Sequence, residues 1–303
     1  MIEIARALAP TFLIIALAAL LKRAKVFTPG AWEGMERATY FVFFPVFLFH
    51  ALATANFKGF DVWPLAYAIL CGVVTMAAAL AVVHRVAGIH GPAYSSVYQG
   101  AIRWNSFVAI ATLQGLYGRT GITLAAVAFA AIVPLVNTLS VFVLTRHAGR
   151  ETSLRLAAAS VLRNPLVLAC LLGIAANAVG LPLPGPLNET LKILADASVT
   201  LGLFTVGAGL DFMGLVSQPR ILALTAALKL FAMPLFMAGY CVVFGVSGPA
   251  RAVAIVADSV PTATNAYILA RQMGGDSVLM ANIVTFTTLL AFVTMPVMVW
   301  ALA

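Results

Sequence analysis

The chain has 303 residues, of which 62% are hydrophobic and only 9% charged, and its mean hydropathy of +1.03 excludes an ordinary soluble globular domain. Its net charge of +8 does not mark a nucleic-acid binder, because the basic residues lie in short segments between apolar runs and read as topology determinants. Cys71, Cys170 and Cys241 sit inside apolar runs without metal-ligand spacing and are expected to be packing residues.

The first apolar run is preceded by Glu3 and followed by Lys22, Arg23 and Lys25. A secretory signal has the reverse polarity, so the expectation is a retained helix with its N-terminus outside. Ten apolar spans are expected at about 3–21, 36–54, 62–83, 94–116, 121–144, 158–179, 189–210, 220–243, 250–272 and 277–301. With that start, most Lys and Arg near span ends fall inside, among them Arg37, Arg85, Arg146, Arg150 and Arg155. Both termini are therefore expected outside the cell (inner) membrane, with the lipid bilayer as the first partner.

The polar stretch after Leu144 divides the chain into a first repeat over 1–145, a basic cytoplasmic linker over 146–157 and a second repeat over 158–303. Pro10 matches Pro165, Pro64 matches Pro219, and Phe57-Lys58-Gly59 matches Phe212-Met213-Gly214, all at a shift of 155. Leu116-Tyr117-Gly118 matches Gln272-Met273-Gly274 at 156. Matches in register point to an internal duplication. Five spans are an odd number, so the second copy must lie inverted, as in secondary transporters.

The ninth span carries Asp258 and is interrupted at Pro261-Thr262, with Thr264 and Asn265 close behind. Proline lacks an N–H and clashes with the preceding turn, which frees the carbonyl of Ala257. Irregular backbone at membrane depth is tolerated inside protein or beside a wet cavity. The bland alternative is a proline kink that serves packing alone. Shifted by 156, Pro261 falls on Asn105, so the fourth span, with Arg103, Asn105 and Ser106, is the expected counterpart. Two broken helices crossing near the midplane would offer N–H groups and positive dipole ends to an anion, and free carbonyls to a cation.

These segments resemble the auxin efflux carrier family, in its bacterial malonate-transporter-like branch. The resemblance covers essentially the whole chain and rests on F-F-P-V-F-L-F (43–49), R-W-N-S-F-V-A-I-A (103–111), R-N-P-L-V-L-A-C-L-L-G (163–173), L-F-T-V-G-A-G-L (203–210), L-K-L-F-A-M-P-L (228–235) and P-T-A-T-N-A-Y-I-L-A (261–270). It implies an all-α polytopic membrane protein with ten transmembrane helices as two inverted five-helix repeats, a scaffold part, a transport part, and a substrate site where helices 4 and 9 cross. Asn105, Pro261, Thr262 and Asn265 match the crossover motifs. Thr112 stands near the first crossover where the family often has proline, which leaves the depth and sharpness of the first break open, and Thr200 replaces an expected proline in the seventh helix.

Charge in hydrocarbon is costly, so Arg103 and Asp258 call for a partner or a wet site. Arg103 can hold a substrate carboxylate bidentately, and Asp258 can take a coupling proton or Na+. An ion pair between the two, or snorkelling of Arg103, is the structural alternative. Lys229 can bind an acid or tether a neighbouring helix end. His50 reads as a satisfied helix-end histidine, Asp196 as a cap, and Asn137 and Asn177 as glue between helices. Enzyme signatures such as the P-loop, H-E-x-x-H, G-x-S-x-G and CxxC do not occur.

The expected function is secondary transport of a small organic anion, a mono- or dicarboxylate, by alternating access. The substrate-binding candidates are Arg103, Asn105, Ser106, Pro261, Thr262, Thr264 and Asn265, and the ion-coupling candidates are Asp258 and Lys229. No cofactor is expected beyond a coupling H+ or Na+, and a homodimer is allowed. Amphipathic or bile-acid-like solutes, or a ligand-binding membrane receptor without transport, are the alternatives.

Overall fold

The structure is a computed structural model that describes residues 2–57, 62–147, 163–215 and 217–303. Lys58 and Gly59 of the expected repeat match, most of the expected linker over 146–157 and the first residues of the expected sixth span lie outside the described residues. The first half comprises α1 (Ile2–Arg23), α2 (Pro29–Ala38), a π turn (Thr39–Phe43), α3 (Phe44–Ala53), α4 (Val62–Val86), α5 (Gly91–Ile102) and α6 (Ser106–His147). The second comprises α7 (Pro165–Ala178), α8 (Gly185–Ala208), α9 (Pro219–Ala227), a π turn (Leu228–Ala232), α10 (Met233–Val243), α11 (Gly248–Ser259), α12 (Asn265–Met273) and α13 (Ser277–Leu302).

Among the described residues, six helical runs are long and apolar enough to cross a membrane. Their outer faces carry Leu13, Leu17, Leu20, Val82, Val242 and Trp300, all exposed, whereas Arg103, Lys229 and Asp258 are buried. That inversion of the soluble pattern is what a lipid solvent selects. The 42 residues of α6 would extend about 63 Å as a straight helix, roughly twice the hydrocarbon thickness. Gly118 breaks it, with φ 54° and ψ −134°, into limbs over 106–117 and 119–147. At the turn, a Cβ on Gly121 would stand 2.3 Å from the Leu113 carbonyl oxygen, so only glycine fits there.

Local capping explains several boundaries. The second expected span begins earlier than residue 36, because Thr28 accepts from Ala31 N at 3.3 Å and Pro29 occupies the first turn. Asn164 caps α7 through a 2.9 Å bond from Leu166 N, and Asp276 caps α13 through a 2.9 Å bond from Leu279 N. Helices α5 and α11 are built alike. Each has 12 residues and starts at a glycine of positive φ, Gly91 or Gly248, followed by proline.

Helices α1, α3, α7 and α8 pack closely on one another, and α4 to α6 with α9 to α13 form a second group. Small residues permit the approach. A Cβ on Gly207 would meet the Ile15 carbonyl at 2.2 Å, and one on Gly202, between the groups, would meet the Phe107 ring at 2.0 Å. His50 pairs with Asn188 Oδ1 at 3.1 Å, and Asn177 Nδ2 donates to the Ala53 and Ala55 carbonyls, as satisfied polar groups should. Asp196 does not cap a helix. It lies within α8, well after the start at Gly185, and pairs with Lys192 at 3.1 Å on the exposed surface.

Candidate functional site

The breaks between α5 and α6 and between α11 and α12 meet. Arg103 leaves α5 in extended conformation (φ −87°, ψ 133°), as Val260 leaves α11 (φ −69°, ψ 157°). Trp104 and Thr262 form an antiparallel bridge, and Asn105 N donates to Pro261 O at 3.0 Å. Helix ends leave orphan carbonyls and N–H groups that need partners when buried. The Thr262 hydroxyl donates to Gly100 O at 2.6 Å, and Thr262 N donates to Thr287 Oγ1 at 3.2 Å. Asn105 Oδ1 accepts from Val108 N at 3.3 Å and so starts α6. The first break therefore needs no proline. Thr112 lies buried beyond it, inside the first limb of α6.

A small cavity opens beside this crossing. Arg103, Trp104, Ser106, Ala263 and Asn265 form its crossing side. Ser106 and Asn265 are the first residues of α6 and α12, and Asn164 and Leu166 belong to the capped start of α7, so three positive helix ends adjoin the same space. The remaining wall is Tyr40, Asn137 and Asn164 with the apolar side chains of Phe129, Ile132, Val133, Val136 and Leu166.

Arg103 is 7% exposed. Its Nη1 donates to Ser140 Oγ and its Nη2 to Asn265 Oδ1, each at 3.3 Å, while Nε has no partner among the described residues. The one ion pair among the described residues is the surface pair Lys192–Asp196. Arg103 thus carries its charge into the cavity on neutral, long hydrogen bonds. The alternative of an Arg103–Asp258 ion pair is not realised.

Asp258 instead neighbours Lys229, which comes from the π turn before α10. Both are fully buried. Lys229 Nζ lies 3.5 Å from the Asp258 backbone carbonyl near the end of α11, which is the helix-end tether. The Trp104 indole N–H approaches the Asp258 carboxylate without reaching hydrogen-bond geometry, and neither carboxylate oxygen has another partner among the described residues. Trp104 links the two places, since its ring also lines the cavity and meets Phe129 edge-on at 6.1 Å.

Of the expected substrate-binding residues, Arg103, Ser106 and Asn265 line the cavity. Asn105, Pro261 and Thr262 build the crossing that positions them, and Thr264 precedes α12 outside the cavity lining. Asn137, expected only as glue, is on the wall. Tyr40 and Asn164 went unread. Asn164 stands in a legible Asn-Pro cap, but only tertiary packing brings Tyr40 to it.

A family model described as "Membrane transport protein" matches residues 3–299. An uncharacterized transporter of Methanothermobacter thermautotrophicus is 28% identical over 206 residues, 68% of this chain and 67% of the relative. Probable auxin efflux carrier component 1b of Oryza sativa subsp. japonica is 28% identical over 142 residues, 43% of this chain and 25% of its own length. A putative malonate transporter of Rhizobium meliloti is 28% identical over 132 residues, 43% of this chain and 41% of its own length. The matches thus span about a quarter of the rice relative and less than half of the rhizobial one.

Proposed function

The chain belongs to the membrane transport protein family, the auxin efflux carrier family that its motifs resemble, and from that premise we propose that it is a secondary transporter of a small organic anion. The observation that carries this reading is Arg103, a buried cation facing a cavity with no carboxylate partner among the described residues. An uncompensated charge in a protein interior costs several kcal/mol, so a site that keeps one is ready for a counter-ion from outside. The substrate carboxylate binds the guanidinium between the first turns of α6 and α12, where two helix dipoles add to the attraction. Ser106 and Asn265 orient it, and Asn105, Pro261, Thr262 and Thr264 hold the two helix ends in place.

The fold reading that goes with this function is ten spans in two inverted repeats, with both termini outside the inner membrane. The matched Gly-Pro starts of α5 and α11 and the antiparallel meeting of the two breaks support it. Access alternates as the group containing α5, α6, α11 and α12 moves against α1, α3, α7 and α8. Asp258 and Lys229 take the coupling H+ or Na+, with Trp104 between them and the anion. Auxin and malonate, named for relatives, are both carboxylates and fit this chemistry.

Reconstitution in liposomes tests the reading. Labelled carboxylates should accumulate in the lumen with time and be exchanged by unlabelled substrate. Binding without lumenal accumulation would overturn transport in favour of a receptor.

A further inference from the structure

The part of the lining away from the crossing carries no charged side chain. Tyr40 comes from the π turn between α2 and α3, and its hydroxyl is within electrostatic reach of the Arg103 guanidinium. Asn164 has its Oδ1 committed to capping α7 and donates its Nδ2 to the Tyr40 oxygen at 3.3 Å. The Tyr40 oxygen is thereby used as an acceptor, and no described residue accepts its O–H. That proton is available to a ligand acceptor in the cavity. Asn137 and Asn164 are the other polar groups of this wall, and the rest is apolar.

We infer that the cavity selects monoanions: a carboxylate at the Arg103 end and an uncharged oxygen acceptor, such as an amide, hydroxyl or ketone, at the Tyr40 end. This inference rests on the organic-anion reading above and narrows it. Arg103 is the only charged residue lining the cavity among the described residues. The ends of α6 and α12, each equivalent to roughly half a positive charge, belong to its side of the space and serve the same carboxylate, whereas the start of α7 on the other wall is already occupied by the Asn164 Oδ1 cap. A second carboxylate at Tyr40 would lose its water and share the one guanidinium with the first, meeting otherwise the already capped start of α7, hydroxyl, amide and hydrocarbon. A neutral oxygen there needs one donor, and Tyr40 supplies it. Tyr40 is thus the specificity-determining residue, and Asn164 is the group that orients its proton.

Three ligands of almost equal size separate the possibilities. Malonamate carries a neutral amide at the far end, malonate a second carboxylate, and 3-methylbutanoate two methyl groups. Binding to the purified full-length protein in detergent is measured by titration calorimetry, at a pH where both carboxylates of malonate are ionised. Malonamate should bind at least about tenfold more tightly than malonate. In Tyr40→Phe, malonamate should weaken to the level of 3-methylbutanoate, whose own affinity should not change. That unchanged affinity also reports that the variant is folded. Malonate binding as tightly as malonamate, or Tyr40→Phe weakening all three alike, would overturn the selectivity while leaving the anion site standing. Failure of all three to bind the wild type would remove the anion site as well.

Discussion

Replacing Thr262 with valine removes one hydroxyl and preserves shape, which makes it a clean probe of what holds the crossing together. Thr262 is fully buried, and its Oγ1 donates to Gly100 O at 2.6 Å. Gly100 is one of the last residues of α5, whose final carbonyls have no partner within the helix. No water replaces the lost donor at this depth, so the carbonyl stays unsatisfied. Removing one partner of a buried hydrogen bond costs about 1–3 kcal/mol, and that is the expected loss for Thr262→Val. Thr262→Ser keeps the hydroxyl and deletes one methyl group, worth roughly 0.8 kcal/mol. Serine should therefore be the milder change, although it is the less conservative one in volume. Reversible unfolding in mixed micelles, followed by tryptophan fluorescence, measures both. Thr262→Val as stable as the wild type, or less damaging than Thr262→Ser, would refute the idea that this hydroxyl closes the end of α5.

Pro261→Ala restores a backbone donor, yet the break is also held by the Asn105 N to Pro261 O bond and by both Thr262 bonds. Stability should be kept or gained and ligand affinity should fall by less than about tenfold, 1.4 kcal/mol; a larger loss in equilibrium binding would mean that proline alone keeps the helix open. Asp258→Asn removes a buried charge whose oxygens have no hydrogen bond among the described residues, so the variant should fold and bind the anion while uptake loses its dependence on H+ or Na+. Unchanged ion dependence in proteoliposomes would make Asp258 structural. Single Thr28→Cys and Ser217→Cys substitutions, in a background lacking Cys71, Cys170 and Cys241, should resist impermeant thiol reagents applied to intact cells; labelling from outside would reverse the proposed orientation.

What the sequence discloses follows the physics of its spacing. Apolar runs bounded by Thr28-Pro29, Gly91-Pro92 and Asn164-Pro165 mark helix starts because caps and prolines act locally. The two breaks were legible too, since Pro261 interrupts one helix and the repeat carries that position onto Asn105. Thr262, however, donates its hydroxyl to the end of α5, and Asn105 gives its Oδ1 to the start of α6 while its Nδ2 has no partner among the described residues, a division that residue type alone does not disclose. Arg103 and Asp258 were the nearest opposite charges along the proposed crossing, but side-chain direction sends Arg103 to Asn265 and leaves Asp258 beside Lys229. Tyr40 gave no signal. It lies in an apolar run and becomes part of the cavity only through the packing of its π turn against Asn164.

The central claim is that Arg103 holds the carboxylate of a transported anion. Its most direct test is equilibrium binding of labelled malonamate to wild type, Arg103→Lys and Arg103→Gln in detergent, with thermal stability recorded for each. Losing a charge-assisted hydrogen-bond pair should weaken binding by about 1.5–3 kcal/mol, roughly ten- to a hundredfold, in Arg103→Gln. Arg103→Lys should fall between, because an ammonium keeps the charge but not the planar fork. That order is expected, with stability unchanged or higher in Arg103→Gln, since a buried charge without an acid partner has been removed. Wild-type affinity in Arg103→Gln would contradict it and move the anion site away from the crossing.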